Sequence, residues 1–154
     1  MYARLYLDSD MRTDQMKKLD VQTTINAPPE VVWAKLTDTR TLAGGGLGLV
    51  SLSGEMRLGG KLTLVNEVAP GRAFSISITE FEPNRLMVWS DGMPLGLFKG
   101  VRSFLLTPVP DGTQLQMTEV FTGLMLPLIW KSMPDLKPGF QKFATGLKQL
   151  CERQ

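Results

Sequence analysis

Histidine is absent from this sequence, and cysteine occurs once, as Cys151. Without histidine the chain cannot form a Ser-His-Asp triad or an imidazole zinc site, and it lacks the side chain that usually titrates near neutral pH. A single cysteine forms no internal disulfide, and an apolar helical pattern around Cys151 favours a small core residue over a nucleophile. We therefore expect no metal and no cofactor, and a cytoplasmic location suits the chain.

Neither charge accumulates in this chain, since 17 basic and 15 acidic residues give a net charge of +2. A phosphate backbone needs a basic stripe, so we expect no nucleic-acid partner. Long apolar runs are missing as well, which argues against membrane insertion, and residues 1–18 lack the apolar region of a signal peptide. The 154 residues suffice for one core. We expect a loosely ordered extension over residues 1–17 and a single domain over residues 18–154.

The first regular elements meet at a pair of prolines. Apolar and polar residues alternate over residues 19–25, which predicts a half-buried strand. Pro28 and Pro29 end the strand pairing, and Pro29 suits the first position of a helix because its missing N–H would have no partner there. The pattern predicts a helix to about Thr39.

Strand-forming residues separated by turn signals fill the middle of the chain. Two hairpins are predicted, one closing at Pro83-Asn84 and the other at Asp111-Gly112, and consecutive hairpins indicate an antiparallel sheet. In the first hairpin the apolar residues fall on both faces, and a β-bulge would reconcile them. One face would hold Phe74, Ile76, Ile78, Met87 and Trp89 together with Glu80, and the opposite face would hold Phe81, Leu86 and Val88. The predicted strands cover residues 47–52, 60–68, 72–81, 85–91, 99–109 and 113–122.

The end of the chain contains two apolar segments. Residues 123–134 crowd apolar side chains between prolines, and two interpretations stay open: a connection that packs against the sheet, or a lid over a cavity. Residues 138–152 place apolar side chains at helical spacing, which predicts an amphipathic helix long enough to cross several strands.

This order of elements resembles the START-like (Bet v 1-like) superfamily, and more narrowly the polyketide cyclase/dehydrase and lipid-transport branch of the SRPBCC families. The resemblance covers residues 18–152. It rests on residues 25–33 (INAPPEVVW), 82–86 (EPNRL) and 111–113 (DGT), and on the ending with Gly123-Leu124, Pro127, Trp130 and Gly146-Leu147-Lys148.

The resemblance implies an α+β helix-grip fold. In that fold a curved antiparallel sheet of six or seven strands wraps a long C-terminal helix, short helices follow the first strand, and an apolar cavity remains between helix and sheet. Members bind sterols, lipids, quinones or aromatic polyketides, and a few catalyse cyclisation or act as chaperone activators. Fold alone does not decide among these functions.

A two-residue loop at Asp111-Gly112 would determine which residues of the last two strands face each other. One face then becomes mostly apolar, with Arg102 opposite Phe121, Phe104 opposite Glu119, and Leu106 opposite Met117. Glu119 and Arg102 point inward as diagonal neighbours, and a carboxylate there either pairs with the guanidinium or takes up a proton. The pair is thus either a structural ion pair or an anchor for a polar ligand. A three-residue loop would reverse the parity.

Three functions follow, of which we prefer the binding of an apolar or aromatic small molecule, such as a lipid, a quinone or a polyketide, between the last helix and the sheet. The predicted ligand-binding residues are Trp89, Arg102, Phe104, Met117, Glu119, Phe121, Met125, Trp130, Phe143 and Leu147. The second function is a cofactor-independent cyclase or dehydratase, with Glu119 as general acid or base and Arg102 stabilising an enolate oxygen. The third is an interaction module, resembling the chaperone activators, that uses residues 124–130 to contact another protein or to form a homodimer.

Overall fold

Seven strands and four α-helices make up the part of the chain that the computed structural model describes, residues 16–153. The strands are β1 (Met16–Ile25), β2 (Leu49–Gly54), β3 (Lys61–Asn66), β4 (Phe74–Glu82), β5 (Leu86–Gly92), β6 (Lys99–Val109) and β7 (Gly112–Thr122). The helices are α1 (Pro29–Leu36), α2 (Thr39–Gly44), α3 (Leu126–Ser132) and α4 (Lys137–Glu152). The predicted extension lies outside the described residues, apart from Met16 and Lys17 at the start of β1.

All seven strands form one antiparallel sheet in the order β1-β7-β6-β5-β4-β3-β2. Burial alternates along β7, where every second residue is buried, so one face of the sheet carries the core and the other carries more polar side chains. The sheet curls around α4, which confirms the predicted α+β helix-grip fold. No helix within residues 16–153 is both long enough and apolar enough to cross a membrane.

The predicted first helix is two helices. Pro29 begins α1 as expected, but α1 ends at Leu36 and not near Thr39. The Asp38 side chain accepts hydrogen bonds from the backbone N–H groups of Arg40 and Thr41 and so starts α2. An aspartate in this role competes with a continuous helix for those N–H groups, which explains the break.

The hairpin of β6 and β7 differs from its predicted register by two residues. Val109 pairs with Gly112, so Pro110 and Asp111 form the loop in place of Asp111-Gly112. Gly112 is thus the first residue of β7, and the position requires glycine because its φ is 145° and a side chain there would collide with the Ile25 carbonyl oxygen. A shift of two residues preserves the parity, so the predicted inward face is confirmed. The opposed inward pairs are Arg102 with Glu119, Phe104 with Met117, and Leu106 with Leu115.

The bulge predicted in the first hairpin is present. The pairing of β4 with β5 shifts between Ile78 and Glu80, which brings Phe81 opposite Met87 and leaves Ile78 opposite Trp89. The extra residue therefore moves Phe81 to the core side of the sheet and turns Glu80 outward.

Helix α4 closes the core where residues 138–152 were predicted to form a helix. A Cβ on Gly146 would lie 2.9 Å from Leu47 Cγ, so the glycine lets the helix approach the link before β2 closely. Lys148 Nζ donates a hydrogen bond to the Thr24 carbonyl at 2.7 Å, which ties the end of α4 to β1. Cys151 is buried, and burial raises the pKa of its thiol to about 11, as expected for a core cysteine.

Candidate ligand-binding cavity

A cavity of about 380 Å³ lies between α4, the inner face of the sheet and the segments that flank β2 and β3. This volume is in the range of pockets that hold small molecules. Most of its wall is apolar or aromatic, including Leu64, Phe74, Ile76, Phe121, Phe140 and Phe143. The cavity is therefore suited to a ligand with an apolar body.

A row of three polar-tipped side chains crosses the cavity wall. Trp89 on β5 lies opposite Arg102 on β6, which lies opposite Glu119 on β7. Residues that face each other on neighbouring strands share a side of the sheet, so all three line the cavity. Among the described residues, the indole N–H of Trp89 is a buried donor without a hydrogen-bond acceptor.

Arg102 and Glu119 form an ion pair at the edge of the core. Arg102 donates to Glu119 Oε2 from Nη2 at 2.8 Å and from Nε at 3.3 Å, and Glu119 is only 8% exposed. The guanidinium also stacks 4.5 Å above the ring of Phe140 on α4. The pair thus connects the sheet to the helix as well as facing the cavity.

A second carboxylate, Asp91, faces the same space and was missed in the sequence analysis. Asp91 lies opposite Gly100, whose missing side chain leaves room for both acids. A Cβ on Gly100 would lie 2.9 Å from Asp91 Oδ1 and 3.3 Å from Glu119 Oε1. The sequence pattern that could have identified Asp91 is the alternation along β5. Side chains on a strand alternate between the two faces, so Asp91 shares the inward face with Met87 and Trp89.

The electrostatics of this cluster affect Asp91 most clearly. Burial and, secondarily, the negative charge of Glu119 raise the pKa of Asp91 to about 6, while Arg102 acts in the opposite direction. The cluster therefore contains a carboxyl group that changes its protonation near neutral pH in a protein without histidine. No group of three or more cysteine or acidic side chains within residues 16–153 is placed to hold a metal ion.

Residues 16–152 match the sequence model of the family described as polyketide cyclase / dehydrase and lipid transport. The chain belongs to this family. The match covers the whole sheet and all four helices, and it confirms the resemblance to the SRPBCC superfamily. No curated protein has a sequence that matches this member of the family.

Solved structures similar to this family member share its fold at low sequence identity. Protein MLL2253 from Mesorhizobium loti has a TM-score of 0.71 and 21% identity, over 90% of this chain and 98% of its own. The di-domain ARO/CYC StfQ from the steffimycin biosynthetic pathway has a TM-score of 0.67 and 14% identity, over 94% of this chain and 52% of its own. Truncated norcoclaurine synthase from Thalictrum flavum has a TM-score of 0.66 and 13% identity, over 90% of this chain and 95% of its own. These identities support the fold alone.

In this member of the family the predicted ligand-binding residues occupy three kinds of position. The cavity wall brings together Trp89, Arg102, Glu119, Phe121 and Phe143. The core, without exposed surface, contains Phe104, Met117 and Leu147. The segment after β7 holds Met125 and Trp130, and neither lines the cavity. Ligand contact at the ten positions stays a prediction.

Residues 123–134 combine the two interpretations that the sequence left open. Leu126 is buried, and the Trp130 ring packs 5.4 Å from the ring of Phe121, so part of the segment covers the sheet. Met133, directly after α3, lines the cavity. Leu124 and Leu128 are 78% and 69% exposed, and the hypothesis of an interaction module or homodimer at this segment stays a prediction.

Proposed function

We propose that the protein binds an apolar or aromatic small molecule, of the size and character of a lipid, a quinone or a polyketide, between α4 and the sheet. One observation carries the proposal: a cavity of about 380 Å³ whose walls are mostly apolar and which contains a cluster of polar groups at Trp89, Asp91, Arg102 and Glu119. Apolar walls supply affinity by removing hydrophobic surface from water, and a few polar groups determine the orientation of the ligand. The family's description, which includes lipid transport, supports the same class of ligand.

The arrangement of the wall suggests how such a ligand lies. Phe74 and Ile76 on β4 face Phe140 and Phe143 on α4, and these side chains receive the apolar body. The oxygen-bearing end of the ligand lies near Arg102, where Trp89 and Arg102 offer hydrogen-bond donors and Asp91 and Glu119 offer acceptors.

The binding proposal predicts that the fluorescent probe N-phenyl-1-naphthylamine binds the folded protein at one saturable site. A bulky side chain at Gly139, which lines the cavity in the first turn of α4, should fill part of the space. We expect Gly139→Phe to weaken probe binding by about tenfold or more, measured by fluorescence titration.

Gly71→Phe is the matched control, because a Cβ there meets no atom within 4 Å and Gly71 does not line the cavity. It should bind the probe as the wild type does. Organic extraction of the purified protein followed by mass spectrometry gives a second test. A wild-type protein that neither binds the probe nor carries an extractable small molecule contradicts the proposal.

A cofactor-independent cyclase or dehydratase is the second candidate, and the pair of carboxylates above Gly100 favours it. A group with the raised pKa of Asp91 can exchange a proton with a bound ligand near neutral pH. Glu119 would act as a second acid or base, and Arg102 would stabilise an enolate oxygen. The names of the ARO/CYC and norcoclaurine synthase neighbours are compatible with enzymatic use of this fold.

If the protein is such an enzyme, we expect Glu119→Gln to lower the turnover of a linear polyketide analogue by about 100-fold while the protein still binds N-phenyl-1-naphthylamine. Product formation is measured by chromatography under single-turnover conditions. Glu80→Gln, on the outer side of β4, is the control and should keep full turnover. Unchanged turnover in Glu119→Gln eliminates this version of the mechanism.

A further inference from the structure

The two carboxylates of the cluster differ in what they are bonded to. Glu119 Oε2 accepts two hydrogen bonds from Arg102. No side chain among residues 16–153 donates a hydrogen bond to the Asp91 carboxylate, and Asp91 forms no ion pair there. Apart from its own backbone N–H, the Asp91 carboxylate therefore has no donor within residues 16–153, and it keeps acceptor capacity on the cavity wall.

The charges that face Asp91 come from three neighbouring parts of the fold. β7 contributes Glu119, β6 contributes Arg102, and the turn before β4 contributes Arg72. On the α4 side of the cavity, Lys142 pairs with Glu67 at 2.7 Å. Because Arg102 is paired with Glu119 and stacked on Phe140, it offers Asp91 attraction at a distance and no hydrogen bond.

A half-buried acceptor without a donor loses hydrogen bonds to water when an apolar ligand fills the cavity. A hydrocarbon would leave this loss uncompensated. A ligand carboxylate would face two acidic side chains and a single guanidinium that is already paired with Glu119, an arrangement that repels it. A ligand hydroxyl donates the missing hydrogen bond and brings no charge into an apolar space.

We propose that the ligand is a neutral hydroxylated molecule, a phenol, an enol or an alcohol on an apolar skeleton, whose O–H donates a hydrogen bond to the Asp91 carboxylate. The Glu119–Arg102 pair is then part of the wall of the site, and Asp91 is the anchor. This inference rests on the proposed binding function and narrows it to one class of ligand.

The protonation state of Asp91 makes the affinity for such a ligand depend on pH. Burial raises the pKa of Asp91 to about 6 in the protein without ligand. A hydroxyl donor stabilises the ionised carboxylate, so its binding lowers this raised pKa. Its affinity is therefore full above pH 6 and falls as the pH drops below it. A ligand that only accepts hydrogen bonds gains from the protonated carboxyl and follows the opposite trend.

Four probes with one naphthalene skeleton test this in the full chain by isothermal titration calorimetry: 2-naphthol, 2-methoxynaphthalene, 2-naphthoate and 2-naphthylmethylammonium. We expect 2-naphthol to bind about tenfold tighter than 2-methoxynaphthalene at pH 7.5, and this advantage to vanish at pH 5. Tighter binding of the carboxylate or of the ammonium probe overturns the inference.

Asp91→Asn should remove both the preference for 2-naphthol and its pH dependence. Asp111→Asn is the matched control, since it makes the same change at the exposed β6–β7 loop and should preserve both. Gly100→Ala is a second variant that keeps the charge but displaces the Asp91 carboxylate, because the new Cβ would lie 2.9 Å from Oδ1. It should reduce the preference as well.

The outcomes separate this inference from the proposed function. Equal binding of 2-naphthol and 2-methoxynaphthalene, or a preference that survives in Asp91→Asn, overturns the role of Asp91 and leaves small-molecule binding intact. Failure of every probe to bind the wild-type protein overturns both.

Discussion

Replacing Arg102 with methionine (Arg102→Met) is expected to destabilise the fold by about 3–5 kcal/mol at pH 7. The substitution leaves Glu119, which is 8% exposed, as an unpaired carboxylate beside Asp91. Methionine fills much of the arginine volume, so the loss reports the uncompensated charge more than a cavity. Urea unfolding followed by circular dichroism measures the free energy.

Two variants serve as controls for this loss. Arg85→Met removes an ion pair with Glu82 whose side chains are 58% and 54% exposed, and the expected change is below about 1 kcal/mol. The double variant Arg102→Met/Glu119→Met replaces both charges by apolar groups and should recover most of the stability. A loss in Arg102→Met no larger than in Arg85→Met would show that the inner pair does not carry the stability assigned to it.

Truncation of Phe104 to alanine is expected to cost about 3–5 kcal/mol of unfolding free energy. Phe104 has no exposed surface, and its ring centroid lies 4.8 Å from that of Trp89 and 5.6 Å from that of Phe143. Phe104 therefore connects Trp89 on the sheet to Phe143 on α4 and supports both of these cavity-lining residues within the core. Leu105→Ala, on the outer face of β6, should cost clearly less in the same urea titration.

Probe binding shows which role Phe104 has. The sequence predicts a ligand contact at Phe104, whereas its burial indicates support of the wall. If it supports the wall, folded Phe104→Ala binds N-phenyl-1-naphthylamine within about threefold of the wild type. A stable variant with binding lost altogether would favour direct contact.

The side of the sheet on which a residue lies could be predicted for several positions of the site, because it depends only on whether the residue is an odd or an even number of positions from a known inward residue. Side chains alternate along a strand, so the inward placement of Arg102 and Glu119 survived a register error of two residues. A bulge in the first hairpin was also predictable, since its apolar residues fall on both faces of a regular pair of strands, but its position near Thr79 was not. The exact partner across the hairpin was not, because Gly112 suits a turn and a strand alike.

The environment of Asp91 could not be predicted from the residue pattern of its own strand. Its position on the inward face follows from Trp89 two residues earlier, but its importance comes from Gly100 and Glu119 on two other strands. The distance of a carboxylate from groups on neighbouring strands depends on strand pairing and twist, which no local pattern specifies. The raised pKa of Asp91 arises from that same environment.

Local periodicity, the positions of proline and glycine and the family motifs were enough to predict the fold class and the inward face of the last two strands. The presence and size of the cavity depend instead on three-dimensional packing. Its volume depends on how closely α4 approaches the sheet, and that distance is established by contacts between remote residues, such as Gly146 against Leu47 and Arg102 against Phe140. These packing contacts fill the space around Phe104 and leave it open beside Asp91.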